Sequence, residues 1–224
     1  MRKILGLALI FLLCAVPTHA ATLVAVPRGT PAVLDGALAE GEWSDALQIR
    51  LNDQARLMLK HADGFLFLGI QATTRGFASP LIVGAGEILV LHASAALGTA
   101  IYAPEGDVWT LRQDYVYECR STGFSPYALE ERAHFLQQNG WLGTIVYLGD
   151  PTQFEYQILW GDGPLTFLFM FEEFADPIQF LSWPLEPTAA APYGAMISAD
   201  QTPAEFHCTL DEWATLEKGE PVQP

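Results

Sequence analysis

Two apolar runs, residues 55–61 and 65–73, are joined through Asp63-Gly64, and no other stretch limits the fold of this chain so sharply. An Asp-Gly pair between β-type runs favours a tight hairpin, because both central residues of the mirror-image turn take positive φ. The first run alternates, with Ala55, Leu57, Leu59 and His61 on one side and Arg56, Met58 and Lys60 on the other. That period of two is the mark of a strand. Similar runs recur at 22–26, 87–92, 141–148, 154–160, 165–171, 179–183 and 205–210, and residues 101–111 read as two β pieces around Pro104, Gly106 and Asp107. Gly161-Asp162-Gly163-Pro164 reads as a second hairpin turn, and residues 76–80 read as a loop. Residues 129–139 form the one clear helix pattern: Leu129, Ala133 and Leu136 share a face, Glu130, Glu131, Gln137 and Gln138 are wet, and Gly140 stops it. Many short strands with one short helix predict an all-β fold, an antiparallel β-sandwich. A doubly wound α/β fold would need helices in alternation, and the pattern does not supply them.

Ahead of the hairpin lies a distinctive stretch, residues 31–51, reading PAVLDGALAEGEWSDALQIRL. Asp35-Gly36 is a turn signal. Trp43, Ala46 and Leu47 fall on one side of a helical turn, and residues 48–51 lead into a strand. The set Asp35, Gly36, Leu38, Glu42, Trp43 and Ala46 resembles the opening of the family 9 carbohydrate-binding modules and the related DOMON-like β-sandwiches. The hairpin that follows carries the similarity to about Ala72. The resemblance implies a DOMON-like jelly roll. It also implies two ligand classes, a terminal sugar held between aromatic rings or a haem.

The first twenty residues read as a secretory signal peptide: Arg2 and Lys3, an apolar run over 4–16, then Thr18-His19-Ala20 before Ala21. The alternative, a lipoprotein signal at Cys14, lacks the small residue such processing prefers, since Phe11-Leu12-Leu13 precedes it. Residues 21–217 are then one β-sandwich domain, and 218–224 a loose tail. The expected protein is exported, to a periplasm or beyond the cell, with no transmembrane anchor after cleavage. Cleavage takes the formal charge from −15 to −17, a surface that repels phosphate backbones and speaks against nucleic acid as a partner. Cys119 and Cys208 remain, and in an oxidising compartment they are expected to pair.

Sugar recognition needs flat aromatic faces and a few convergent planar polar groups. Trp109, with Arg112, Gln113 and Asp114 close behind it, is one candidate platform; Trp141 and Trp183 are others, and Trp43 reads as core. For haem the chain offers His61, His92, His134 and His207 with Met58, Met170 and Met196 as axial ligands; no C-x-x-C-H is present, which dismisses covalent attachment. No D-x-D-x-D-G loop occurs, which leaves only scattered carboxylates for a structural calcium. No G-x-S-x-G or H-E-x-x-H occurs, and the acidic pairs are adjacent residues that a strand points to opposite faces. The expectation is a non-catalytic binding protein for a saccharide or glycoconjugate, without a cofactor. Its alternatives are a haem-binding electron-transfer domain and an interaction module of a cell-surface assembly.

Overall fold

The structure, a computed structural model, describes residues 22–121, 123–144, 152–186, 189, 191–197 and 202–221. The stretch expected to be a signal sequence lies outside them, as do residues 145–148 of the expected strand. Two sheets face each other, as the all-β reading expects. The smaller has the order β2 (Leu47–Arg50), β3 (Ala55–Ala62), β4 (Phe65–Ala72), β10 (Thr152–Leu159), β9 (Trp141–Gly143). The larger runs β1 (Thr22–Val26), β14 (Ala214–Lys218), β11 (Leu165–Glu173), β5 (Gly76–Gly84), β6 (Glu87–Ala93), β7 (Leu97–Glu105), β8 (Val108–Cys119), β13 (Glu205–Phe206), with β12 (Gln179–Trp183) also paired to β11.

The β3–β4 hairpin turns on Asp63 (φ 50°) and Gly64 (φ 81°), the two positive values its sequence demands. Its register puts Ala62 opposite Phe65 and Arg56 opposite Gln71. Inward residues of the small sheet, Leu57, Leu59, Leu66, Leu68 and Ile70, meet Phe167, Phe169 and Phe171 of β11 in one buried core. Two polar bonds cross that core: Trp141 Nε1 donates to Thr99 Oγ1 at 2.9 Å, and the Tyr156 hydroxyl donates to the Ala78 carbonyl.

A second core explains the unbroken apolar run of β11. Leu168 and Met170 point to the opposite side of the large sheet, where they join Ile88, Val90, Tyr102, Tyr193, Met196 and Trp213. A strand buried on both faces loses its alternation of apolar and polar residues. The cover here comes from Leu185, Tyr193, Met196, Ile197, Phe206, Leu210 and Trp213, and the helical turn Gly194–Ile197 is pinned by the Tyr115 hydroxyl donating to the Met196 carbonyl at 2.7 Å.

Five expectations are corrected. Residues 76–80 are strand, not loop: Pro80 lies opposite Phe169 on β11, and toward β6 the pairing is interrupted between Ala78 and Leu81. Proline's missing N–H therefore falls where no ladder bond is made. Gly161 to Pro164 does not close a hairpin, because β10 pairs with β4 and β9 while β11 lies in the other sheet. Helix α1 (Pro126–Asn139) starts earlier, with the Ser125 hydroxyl accepting from Ala128 N–H at 3.2 Å, and Gly140 (φ 71°) ends it as read. Its buried face is Ala128, Arg132 and Phe135, one residue before the expected stripe, because Phe135 packs edge-on against Trp141 and Arg132 donates to the Leu34 carbonyl at 2.6 Å. Finally, the tail is tied down further than expected: Lys218 closes β14 and Gly219 N–H donates to the Val26 carbonyl at 2.7 Å.

Cys119 and Cys208 are not bridged; both are free. Cys119 ends β8, whereas Cys208 follows Phe206, which pairs with Trp109 near the strand's start. Ten residues of strand hold them roughly 30 Å apart, far beyond the ~4–7 Å Cα separation a disulfide spans. Mapping of thiols in the denatured, unreduced protein is expected to find Cys119 and Cys208 both free; finding neither free would contradict this placement. Among the described residues no helix is long and apolar enough to cross a membrane.

Candidate functional site

Residues 27–46 fold across the outer face of the small sheet, and that cover is built from the opening motif. Asp35 and Gly36 (φ 86°) turn the chain so that both their N–H groups donate to Glu155 Oε2, at 2.9 and 2.8 Å. Trp43 lies flat over Gly69, where an added Cβ would come within 2.9 Å of the indole. Lys60, wholly buried, places its ammonium 4.8 Å from the Trp43 ring centroid, donates to the Glu42 carbonyl and reaches Asp45 at 3.1 Å. Burial alone would push the Asp45 carboxyl up, but hydrogen bonds from Thr30 N–H, the Lys60 ammonium and the Thr30 hydroxyl hold it below its ordinary range. A buried lysine is tolerated only when paired and bonded in this way.

Beside this cover the sheet face stays open. Cross-strand pairing aligns Arg50 with Arg56, Arg56 with Gln71, and Gln71 with Gln153, giving one polar row over four strands. Residues opposite each other share a face and lie within side-chain reach. Arg50, Arg56 and Gln71 of this row floor a groove of about 830 Å³ that Trp43, Gln48 and Met58 also line. Arg56 Nε donates to Gln71 Oε1 at 2.8 Å and its Nη2 bonds the same oxygen. Arg50 pairs with Asp53 and donates to the Asn52 carbonyl at 3.2 Å. Gln48 donates to the Trp43 carbonyl at 3.1 Å, and the Gln153 amide oxygen accepts from Leu38 N–H at 3.0 Å. The Trp43 indole N–H has no acceptor among the described residues.

The expected platform residues do not converge. Trp141 is 1 % exposed, stacked near Tyr156 in the inter-sheet core, and offers no face to a ligand. Trp109 packs half-buried into the second core beside Leu111 and Tyr115. Arg112 pairs with Glu105 at 2.7 Å, Gln113 donates to the Thr99 carbonyl at 3.3 Å, and Asp114 accepts from the Thr202 hydroxyl at 2.8 Å. Trp183 sits on β12, its ring 6.1 Å from Phe167. None of the six lines the groove or the smaller cavity below.

The haem candidates are spread over both sheets. His61 bonds the Gly219 carbonyl at 3.0 Å on the inner face of the small sheet, and His92 meets the Ser79 hydroxyl at 3.2 Å on the outer face of the large one. His134 and His207 are exposed, Met58 lines the groove, and Met170 and Met196 are buried in the second core. Among the described residues no three His, Cys, Asp or Glu side chains gather as a metal site. A smaller cavity of about 300 Å³ is lined by Asp107, Tyr193, His207 and Cys208. Burial pushes the Cys208 thiol up to about 12, so it stays protonated at neutral pH and is a poor nucleophile.

Sequence reading missed Arg50, Arg56, Gln71 and Gln48 as site residues and took Trp43 for core alone, although half the row was within reach of it. The Asp63-Gly64 turn alone sets Arg56 opposite Gln71; placing Arg50 beside them needs the path of residues 51–54. The chain matches no known family, no curated protein and no solved structure.

Proposed function

We propose that this is an exported, non-catalytic saccharide-binding protein, and that its binding site is the groove on the small sheet rather than the Trp109 and Trp141 neighbourhoods. The observation that carries the reading is the row Arg50, Arg56 and Gln71 beside the Trp43 wall, with Gln48 next to it. Planar amides and guanidinium groups present donors and acceptors in fixed forks, which suits the paired hydroxyls of a pyranose. A volume of about 830 Å³ falls within the range of small-molecule sites. The resemblance of the opening motif to carbohydrate-binding modules supports the same ligand class, since that motif builds the groove's wall.

The test is calorimetric titration of the mature protein with a panel of neutral and acidic oligosaccharides, followed by the double variant Arg56→Ala/Gln71→Ala. Losing two or three charge-assisted hydrogen bonds is expected to weaken binding at least about tenfold. Both side chains are on the open face, so the melting temperature should hold. Absence of saturable binding across the panel, with folded protein, would overturn the reading.

A further inference from the structure

We propose that the saccharide carries a carboxylate, as a uronate-containing oligosaccharide does, and that Arg56 with Arg50 receives it. This rests on the groove being the sugar site.

The first ground is the directly opposed pair Arg50 and Arg56 on neighbouring strands. Like charges in that position destabilise a sheet, so the pair costs the fold something that packing does not return. The chain holds only 11 Lys and Arg against 26 Asp and Glu, yet it sets two of the 11 side by side on an open face. An anion lying across both would convert the repulsion into attraction.

The second ground is what already engages them. Arg56 bonds only a neutral oxygen, Gln71 Oε1, and has no carboxylate within ion-pair distance among the described residues. Arg50 is paired to Asp53, but both side chains are largely exposed, at 73 % and 83 %. Such a pair contributes little and exchanges readily. One guanidinium is thus unneutralised, and the other is held loosely enough to turn toward a ligand.

The third ground selects the charge. Glu40 and Asp53 also line the groove, so its four formal charges cancel. A dianion such as a phosphate monoester would meet those two carboxylates as well as the arginines. A single carboxylate suits the guanidinium fork at lower repulsive cost, and the Gln48 amide oxygen remains for a ring hydroxyl.

The experiment titrates the full mature chain with an oligogalacturonate and with its fully methyl-esterified form, at low and high salt. The free acid is expected to bind at least about tenfold tighter at low salt, as a desolvated charge-assisted pair allows, and the gap should close at high salt. In Arg56→Gln the gap should also close, because the acid loses more affinity than the ester, which gives up only hydrogen bonds to the guanidinium. Equal affinity for acid and ester, or a variant that weakens both alike, would overturn the carboxylate assignment and leave the groove a neutral-sugar site. Binding of neither form, nor of any neutral oligosaccharide, would overturn the saccharide reading itself.

Discussion

Trp43→Ala is expected to lower the free energy of unfolding by about 3 to 5 kcal/mol, the usual cost of emptying a large aromatic site. The indole is 95 % covered: Gly69 and Met58 lie beneath it and the Lys60 ammonium beside it. Its removal also exposes Lys60 and Asp45 to water without replacing the packing. A partner substitution separates this account from a general core defect. An alanine Cβ at Gly69 would stand 2.9 Å from Trp43 Cε2 and 3.0 Å from Cδ2, closer than packed carbons tolerate, so Gly69→Ala should cost about 1 to 3 kcal/mol by overpacking. In the Trp43→Ala background the same methyl meets only the flexible end of Met58, at 3.0 Å, so most of its cost should vanish. Urea denaturation of the four proteins measures the coupling. Strict additivity would show that the indole does not rest on Gly69.

The second large effect is electrostatic and is hidden in the unmodified protein. Burial, with Glu42 and Asp35 adding repulsion, pushes the Glu155 carboxyl up to about 7 against the backbone N–H groups of Gly36 and Asp35 that bond it. Its Oε1 has no partner among the described residues. A carboxyl raised in the folded state contributes stability that is full below its unfolded value of 4.5 and is lost as pH rises toward 7. His92 runs the other way. Burial among Phe77, Tyr115 and Tyr117 holds it down to about 4, so its contribution is full above 6.5 and is lost as pH falls toward 4. Each shift corresponds to about 3 kcal/mol. Between pH 4.5 and 6.5 the two slopes oppose and nearly cancel.

Single variants uncover them. Relative to the unmodified protein, Glu155→Gln should gain about 3 kcal/mol as pH rises from 4.5 to 7, and His92→Gln should gain a similar amount as pH falls from 6.5 to 4. Denaturant midpoints across that range read both. Parallel pH profiles for a variant and the unmodified protein would show that the group concerned titrates alike in the folded and unfolded chain.

Much of this architecture is written in short-range signals. Asp63-Gly64 forces a two-residue turn because each of its residues accepts positive φ, and through that turn it fixes Arg56 opposite Gln71 without any knowledge of the rest. Gly140 ends α1 for the same local reason. The alternation of β3 correctly sends Leu57 and Leu59 inward, and the composition of the remaining runs is enough for two β-sheets.

Other features depend on partners far away in the chain. Pro80 reads as a breaker until β11 supplies a ladder on one side and an irregularity absorbs the missing donor on the other. Gly161 to Pro164 has hairpin composition but carries the chain between sheets, because β10 is already claimed by β4. Trp141 has the composition of a platform, and only Phe135, Tyr156 and Thr99 closing around it make it core. The two cysteines share a compartment in any sequence argument, yet the length of β8 keeps them apart. What the sequence determined by itself were turns, strand faces and the all-β class, since these depend on φ preferences and period-two burial within a few residues. The polar row, the cover over Lys60 and the second core were decided by strand pairing and by two long segments folding back, where the energy comes from residues tens of positions distant.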